Sequence, residues 1–270
     1  MARMTIPQPR AASEADTPLP RFGTADLQVH TSYGDGMADA RELFDRIEAL
    51  TDLDVVAITD HDDIGGALLA REVHARGHYR FELVTGIELT TRSGHMLALW
   101  VDQPLRHLRP LGESIAEIHR AGGLAVIPHP LSYLTRSVGQ RALERVLAEG
   151  DLETRPDGIE VANLSLAGRV TGAKALRLNR ERYHLAETGG SDAHFPEEVG
   201  TASTLFPGRT AADVRQAILD CTTAGLRGTQ VPLRSIGVRR LARQQVRGLA
   251  VTPTKVLGPH LRRLTRSVRG

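Results

Sequence analysis

The sequence predicts an α/β protein in which strands and helices alternate, and three observations support this. From about Ala25 to Thr223, short apolar runs alternate with amphipathic segments of roughly 10–15 residues, which is typical of β-α units. The composition, 41% hydrophobic and 24% charged, is that of an ordinary globular protein. No apolar run approaches the roughly 20 residues that span a bilayer. About seven or eight such units favour a closed barrel, although an open parallel sheet stays an alternative.

The elements follow one another with short connections. The third and fourth predicted strands are separated only by the turn Arg92-Ser93-Gly94, and helical patterns separate most of the others. The predicted strands cover residues 25–31, 53–61, 81–91, 95–102, 124–130, 157–163, 184–194 (with a terminal loop) and 201–206. The predicted helices cover residues 39–51, 64–77, 111–122, 140–150, 167–182 and 210–220.

Composition divides the chain into three parts. Residues 1–22 are rich in Pro, Ala, Ser and acidic residues, without the apolar stretch of a secretory signal, and are expected to be flexible. Residues 23–230 form the α/β body. Residues 231–270 form a basic tail with nine arginines, one lysine and no acidic residue, although the whole chain carries only +2. The single cysteine, Cys221, excludes an internal disulfide and fits a reducing compartment, so we expect a cytoplasmic protein.

Metal-type side chains follow several of the predicted strands. Active groups of barrels and open α/β sheets gather at the carboxyl ends of their strands, so these side chains should meet at one rim. They are His30, Asp35, His61, Glu88, His95, His129, Asp192 and His194. Imidazole with carboxylate suits Mn, Zn or Fe, and eight ligands are too many for one ion. We therefore expect two or three divalent ions in a metal-dependent hydrolase. Each motif alone is weak evidence, and a purely structural role would have to explain all eight together.

The order of these motifs resembles that of the polymerase and histidinol phosphatase (PHP) family. The resemblance runs from about Ala25 to Phe206 and is carried by DLQVHTSYGDG, AITDHD, GIE, the later His95, IPHPL and GSDAH. It implies a distorted seven-stranded, TIM-like β/α barrel, here with a basic C-terminal helical tail. It also implies phosphoester hydrolysis with up to three metal ions, on a small phosphorylated substrate, a nucleotide or a nucleic acid end.

The resemblance also implies a division of the ligands. It assigns His30, Glu88 and Asp192 to one metal. It has Glu88 bridge to a second metal, which His95 and His129 also bind. It assigns Asp35, His61 and His194 to the third. This chain departs from the family at Gln28, where a histidine is usual, so the resemblance implies a first metal site that is weakened, lost or retuned.

The implied reaction is attack of a metal-bound hydroxide on phosphorus. Glu88, Asp192 and His30 would act through the metals, and Asp192 could also orient the water. Arg136 is the first candidate for a phosphate clamp and Arg92 the second, and for each a solvated surface role is at least as good an explanation. Two rival functions stay open: a metallohydrolase of a carboxylic ester, amide or carbamate, and a non-catalytic metal-binding module.

The start of the basic tail has the pattern of an amphipathic helix over residues 236–250. One arc carries Arg239, Arg240, Arg243 and Arg247, and the opposite arc carries Val238, Leu241, Ala242, Val246 and Leu249. Residues 260–270 repeat the division. We expect the apolar arc of the first helix to pack on the body with its arginines in water. The alternatives are that the tail binds an anionic membrane surface, a nucleic acid or an acidic partner.

Overall fold

The computed structural model describes residues 21–249. The predictions for residues 1–20 of the N-terminal segment and for residues 250–270 of the basic tail lie outside this range.

Each strand and helix predicted for the body is present, with ends that shift by a few residues. The strands are β1 (Phe22–Val29), β2 (Val55–Ile58), β3 (Glu82–Thr91), β4 (Gly94–Leu99), β5 (Leu124–Ile127), β6 (Gly158–Ala162), β7 (Ala186–Gly189), β8 (Ala202–Pro207) and β9 (Ala224–Arg227). The helices are α1 (Ala40–Leu50), α2 (Gly65–Arg76), α3 (Leu111–Arg120), α4 (Gln140–Ala148), α5 (Leu166–Leu178), α6 (Ala211–Leu219) and the short α7 (Leu233–Ile236). Residues 238–249 are also helical, and we call them the C-terminal helix.

The strands form one mixed sheet in the order β7-β6-β5-β4-β3-β2-β1-β8-β9. Strand β4 runs antiparallel to both neighbours, and β8 runs antiparallel to β1 and β9. The sheet nearly closes, because Ala193, beyond the end of β7, forms a parallel bridge with Val29 of β1. The Thr204 side chain of β8 also bonds both the N–H and the carbonyl of Gly189 in β7. The fold is thus an α/β barrel, as predicted.

The predicted strand number of seven is wrong, because the described part of the sheet has nine strands. After β7 the chain adds an antiparallel ribbon, β8 and β9, beside β1. Strand β9 was not predicted, since its four residues, Ala-Gly-Leu-Arg, have no apolar alternation and include a glycine. Its pairing partner, rather than its own propensity, makes it a strand.

The core has two layers, one inside the barrel and one beneath the helices. Residues of β2 alternate between them: Val55 and Ala57 belong to one cluster, Val56 and Ile58 to the other. Strand side chains point alternately to opposite faces, so a strand buried on both faces is apolar throughout. Helix α1 covers the outside with Leu43, Phe44 and Ile47, and the side chain of Asp39 caps its first turn.

The C-terminal helix packs in the opposite sense to our expectation. Its apolar residues Val238, Val246 and Leu249 are 81%, 66% and 78% exposed. Its body-facing side instead includes Arg240 and Arg247, which hydrogen-bond to groups of the body. The prediction that the apolar arc packs on the body is therefore wrong. Among the residues that the structure describes, no helix is long and apolar enough to cross a membrane.

Candidate metal centre

Six strands and one loop carry the predicted ligands to one end of the barrel. His30 directly follows β1, His61 lies beyond β2, Glu88 lies within β3, and His95 is near the start of β4. His129 follows β5, and Asp192 and His194 follow β7. Asp35 comes from the loop between β1 and α1. Because the antiparallel β4 starts where the parallel strands end, its His95 reaches the same rim. The structure thus brings all eight predicted side chains together.

Glu88 lies at the centre of the cluster and is 1% exposed. Its Oε1 lies 2.7 Å from His95 Nδ1 and 3.1 Å from His129 Nε2. Its Oε2 lies 3.1 Å from His30 Nε2 and 3.6 Å from His61 Nδ1. Each oxygen faces two imidazoles, which is the arrangement that a bridging carboxylate needs.

Two further carboxylates extend the cluster. Asp192 Oδ1 lies 3.3 Å from His30 Nε2, and Asp35 Oδ2 lies 3.4 Å from His194 Nε2 and 3.9 Å from His61 Nε2. The donor atoms fall into three overlapping groups, each within 4.8 Å. The groups are His30, Asp35, His61 and His194; His61, Glu88 and His95; and His30, Glu88 and Asp192. His129 joins them through Glu88.

The hydrogen bonding of the cluster fits metal ions. Buried polar atoms normally have hydrogen-bond partners, because an unsatisfied one costs about 1–3 kcal/mol. Among the residues that the structure describes, several buried atoms of the cluster have no partner in hydrogen-bond geometry: both ring nitrogens of His30, Asp35 Oδ1, His61 Nδ1 and His95 Nε2. Lone pairs of these atoms would be satisfied by divalent ions, so the residues present fit two or three of them.

The electrostatics of the cluster keep its carboxylates ionised. Burial alone would raise the pKa of Glu88, but His61, His95, His129 and His30 outweigh it and hold that pKa well below its usual value. Likewise, burial opposes ionisation of Asp35, but His194 lowers its pKa. Ionised carboxylates are the form that binds a metal.

The histidines differ from one another. For His129 and His194, burial favours the neutral ring, but the carboxylates of Glu88 and Asp35 raise the respective pKa values to about 9. For His61, burial dominates and lowers the pKa to about 4. Without a metal, His129 and His194 therefore carry protons at neutral pH, whereas His61 is neutral.

The backbone of two ligands is strained. His129 and Asp192 have φ angles of 28° and 56°, in a region that non-glycine residues rarely adopt. Buried carboxylates help to hold both segments. Glu160 Oε2 accepts the N–H of His129 at 2.7 Å, and Asp26 accepts the N–H groups of Ser191 and Gly200 at 2.9 and 2.8 Å. Burial raises the pKa of Asp26 to about 6 and that of Glu160 to about 8.

Gln28 lies inside the cluster but its oxygen faces away from the ligands. Its Nε2 donates to Glu88 Oε2 at 3.0 Å, and its Oε1 accepts from Asn163 Nδ2 at 3.5 Å. The amide is thus a hydrogen-bond donor to the central carboxylate, where an imidazole nitrogen lone pair would face a metal.

Sequence reasoning missed several residues that hold the ligands. Glu160 lies within β6, and Asn163, directly after that strand, donates from Nδ2 to Glu160 Oε2 at 2.8 Å. Ser137 Oγ contacts His129 Nδ1 at 2.9 Å. The signal for Glu160 was an acidic residue within an otherwise apolar strand. Asp60 and Asp62, which flank His61 in the sequence, accept hydrogen bonds from Thr31 and Thr90 respectively.

The two predicted phosphate clamps share a cavity beside the cluster. Arg92 and Arg136 are both exposed and line a space of about 380 Å³ with Thr90 and Ser137. The structure brings these two arginines together, but none of the eight predicted ligands lines that cavity.

A second cleft, of about 160 Å³, does reach the cluster. Its lining includes Asp192, Ser191 and Arg169 in the first turn of α5. Ser165 caps that helix by accepting the N–H of Gly168. A positively charged side chain therefore lies in the cleft that Asp192 borders. Arg169 was not predicted as a site residue, because nothing in the sequence places α5 against the segment after β7.

Known proteins share parts of this sequence and its fold. Residues 174–223 match the PHP-associated family model. An uncharacterised protein of Methanocaldococcus jannaschii is 29% identical over 150 residues, which are 52% of this chain and 81% of that protein. A two-domain protein of Bacteroides vulgatus that contains a predicted PHP-like metal-dependent phosphoesterase superposes with a TM-score of 0.61 at 20% identity, covering 77% of this chain and 66% of that one.

The resemblance to the PHP family is confirmed. An amidohydrolase from Chromobacterium violaceum, solved with bound sulfate and no metal, also has this fold, with a TM-score of 0.53 at 21% identity over 76% of this chain and 98% of that one. The PHP-type fold therefore accompanies more than one kind of hydrolase.

Proposed function

We propose that this protein is a PHP-type metal-dependent phosphoesterase. One observation carries the proposal: four imidazoles face the two oxygens of the buried Glu88 carboxylate, at 2.7–3.6 Å. This arrangement can hold adjacent ions that clamp the attacking and leaving oxygens of a phosphoryl group. The structural likeness to a PHP-like metal-dependent phosphoesterase supports it.

The residues would hold two or three ions of Mn, Zn or Fe. His30, Glu88 and Asp192 form one proposed set, and Glu88, His95 and His129 form the second. Asp35, His61 and His194 form the third. Ions bound there would supply Lewis-acid chemistry, lowering the pKa of water and neutralising charge on phosphoryl oxygens. The chain itself keeps Glu88 ionised and shields the site from bulk water, since Glu88 and His30 are 1% and 2% exposed.

The cleft beside Asp192 is the proposed entry for a phosphate group. Arginine binds phosphate oxygens through two parallel hydrogen bonds, so Arg169 would neutralise and orient the group while Asp192 orients the attacking water. Arg136 and Arg92 stay proposed contacts for a more distant part of the substrate. Their cavity includes Ser137, which contacts His129. A small phosphorylated metabolite or a nucleotide fits such an arrangement.

The experiment that tests the proposal is elemental analysis of protein purified with Mn and without chelator, followed by a substrate panel. We expect at least two divalent ions per chain and Mn-dependent release of phosphate from at least one ester. Absence of bound transition metal would refute the metal centre. Full metal occupancy with no turnover of any ester would favour a non-catalytic binding module.

A metallohydrolase of a carboxylic ester, amide or carbamate is the second candidate. Two observations favour it: Gln28 occupies a usual ligand position, and an amidohydrolase has the same fold. The same panel, extended to aryl esters and amides, separates the two functions. Faster turnover of the carbonyl substrates than of any phosphate ester would identify the second.

The free side of the C-terminal helix is a proposed contact for an anionic surface. Val238, Val246 and Leu249 are exposed there, and the exposed Arg239 and Arg243 border them. An apolar strip beside basic residues is typical of helices that lie on anionic membranes. Nucleic acid is the alternative partner, and binding to it would depend on the arginines alone.

A further inference from the structure

The C-terminal helix holds the loop that carries Asp35. Arg247 Nη2 donates hydrogen bonds to the carbonyl oxygens of Ser32 and Gly34, at 2.7 and 2.9 Å. Tyr33 lies between these two residues, and Asp35 directly follows Gly34. One guanidinium thus fixes two carbonyl groups of the loop backbone, and its positive charge strengthens both bonds.

The same helix holds the segment that carries His194. Arg240 forms two hydrogen bonds with the Glu197 carboxylate, at 2.6 and 3.1 Å, and its guanidinium lies 5.2 Å from the centre of the Phe195 ring. The adjacent Glu198 accepts the backbone N–H of His194 at 3.1 Å. The C-terminal helix therefore contacts both the segment that carries Asp35 and the segment that carries His194. These two side chains approach each other to 3.4 Å.

The helix backbone also approaches the cluster directly. A Cβ atom at Gly248 would lie 3.3 Å from Asp35 Oδ2. Glycine at this position lets the last described turn of the helix lie against the carboxylate. The wall of the cluster on this side is thus the C-terminal helix, although the sequence placed it in a separate tail.

We propose that the C-terminal helix is a part of the metal centre, in which Arg247 is a positioning residue for the ion held by Asp35, His61 and His194. This inference rests on the proposed metal-dependent function. Its physical basis is that a loop fixed before binding does not lose conformational entropy when it takes up the ion. Groups that orient metal ligands typically contribute 10–100-fold to metal affinity. The functional domain accordingly extends past residue 230, the predicted boundary.

The test compares Arg247→Gln with Arg243→Gln, a matched control on the same helix whose guanidinium is exposed. Mn binding to the full-length proteins is measured by titration calorimetry. We expect Arg247→Gln to lower the affinity for one Mn ion by about tenfold or more and to leave the affinity for the other ions unchanged. Arg243→Gln should bind like the parent. If Arg247→Gln does not fold, Arg247→Lys, which keeps the charge but loses the planar guanidinium, replaces it.

Hydrogen exchange of the metal-free proteins gives a readout that needs no metal. Amides of residues 31–37 should exchange at least several-fold faster in Arg247→Gln than in Arg243→Gln, without faster exchange across the sheet. If hydrogen exchange and Mn binding are both unchanged in Arg247→Gln, the role of Arg247 is refuted but the proposed metal-dependent function is not. A parent protein that binds no metal would instead overturn the proposed function, and faster loop exchange would then still show that Arg247 fixes the loop.

Discussion

The side-chain amide of Gln28 donates a hydrogen bond of 3.0 Å to Oε2 of Glu88, the carboxylate at the centre of the cluster. This bond occupies the face of Glu88 Oε2 where the family pattern would place a histidine-bound metal. We therefore propose that the first ion, with His30 and Asp192, is the one whose binding Gln28 alters.

Replacing Gln28 by histidine tests that interpretation. Gln28→His replaces an amide donor with an imidazole lone pair, so we expect a higher metal content per chain, measured by elemental analysis. If the first ion is merely weak in the parent, phosphatase activity should rise with it. If the site is instead adapted to cleave a bond other than a phosphate ester, the native activity should fall while the metal content rises. A variant identical to the parent in both quantities would show that position 28 does not contact a metal.

Glu88→Gln should abolish activity. A neutral amide cannot offer two anionic oxygens to two ions, and it would leave several buried imidazoles without a counter-charge. We expect a loss of at least about 100-fold in kcat, together with loss of at least one bound ion, since removal of groups that merely orient ligands already costs 10–100-fold. Glu187→Gln, which alters an ion pair with the exposed Arg180, is the control and should keep both metal and activity. Parental metal content in Glu88→Gln would contradict the bridging role.

Arg169→Gln should raise the KM for phosphate substrates. A hydrogen bond to a charged group contributes about 1.5–3 kcal/mol, which corresponds to roughly 10–100-fold in kcat/KM. Arg177→Gln, at an exposed position later in α5, should leave kcat/KM unchanged. The same measurement on Arg136→Gln and Arg92→Gln tests the clamps predicted from sequence. If only these two variants raise KM, the phosphate enters through their cavity instead.

Metal binding should release protons and should strengthen as the pH rises. The pKa values of His129 and His194 are raised to about 9 in the metal-free protein, and both rings must be neutral to bind a metal. Apparent affinity for Mn should therefore increase between pH 7 and pH 9 and level off above that range. Calorimetry in buffers with different ionisation enthalpies would count the protons released. An affinity independent of pH over this range would exclude these histidines as ligands.

The stability of the metal-free protein should follow the opposite trend. A histidine whose folded-state pKa is raised stabilises the fold fully below its unfolded pKa of about 6.5, and this contribution is lost as the pH rises through about 9. Thermal unfolding of metal-free protein should thus show a lower Tm at pH 9.5 than at pH 7.

The free face of the C-terminal helix should bind anionic vesicles at low salt. Each basic residue near such a surface contributes about 1 kcal/mol, and insertion of the exposed valines and leucine adds apolar burial. Val246→Asp, which alters an exposed position, should reduce co-sedimentation with phosphatidylserine vesicles and leave metal binding intact. If Val246→Asp is still retained on heparin, the partner of this face is a nucleic acid instead. A full-length chain retained by neither matrix would rule out both.

Much of the barrel follows from local patterns in the sequence. Continuous apolar runs such as Val55–Ile58 are buried on both faces wherever they pair, and helix caps such as Asp39 fix where helices begin. The eight candidate ligands could be named from sequence because each lies on a strand or in the loop that follows one, and the carboxyl ends of parallel strands meet at one rim. Whether a side chain can bind a metal depends on its residue type, which the sequence gives directly. The tertiary structure only brings these side chains together.

Only the tertiary structure decided the features that depend on contacts between distant segments. The sequence determined that residues 238–249 form an amphipathic basic helix, because that depends on periodicity alone. It could not determine which side faces the body. Glu197 and the carbonyls of Ser32 and Gly34 give Arg240 and Arg247 hydrogen-bond partners on the body, so these two arginines face inward, whereas Val238, Val246 and Leu249 stay exposed. Periodicity shows that a helix has two faces, and the chemistry of the surface it meets decides which one is buried.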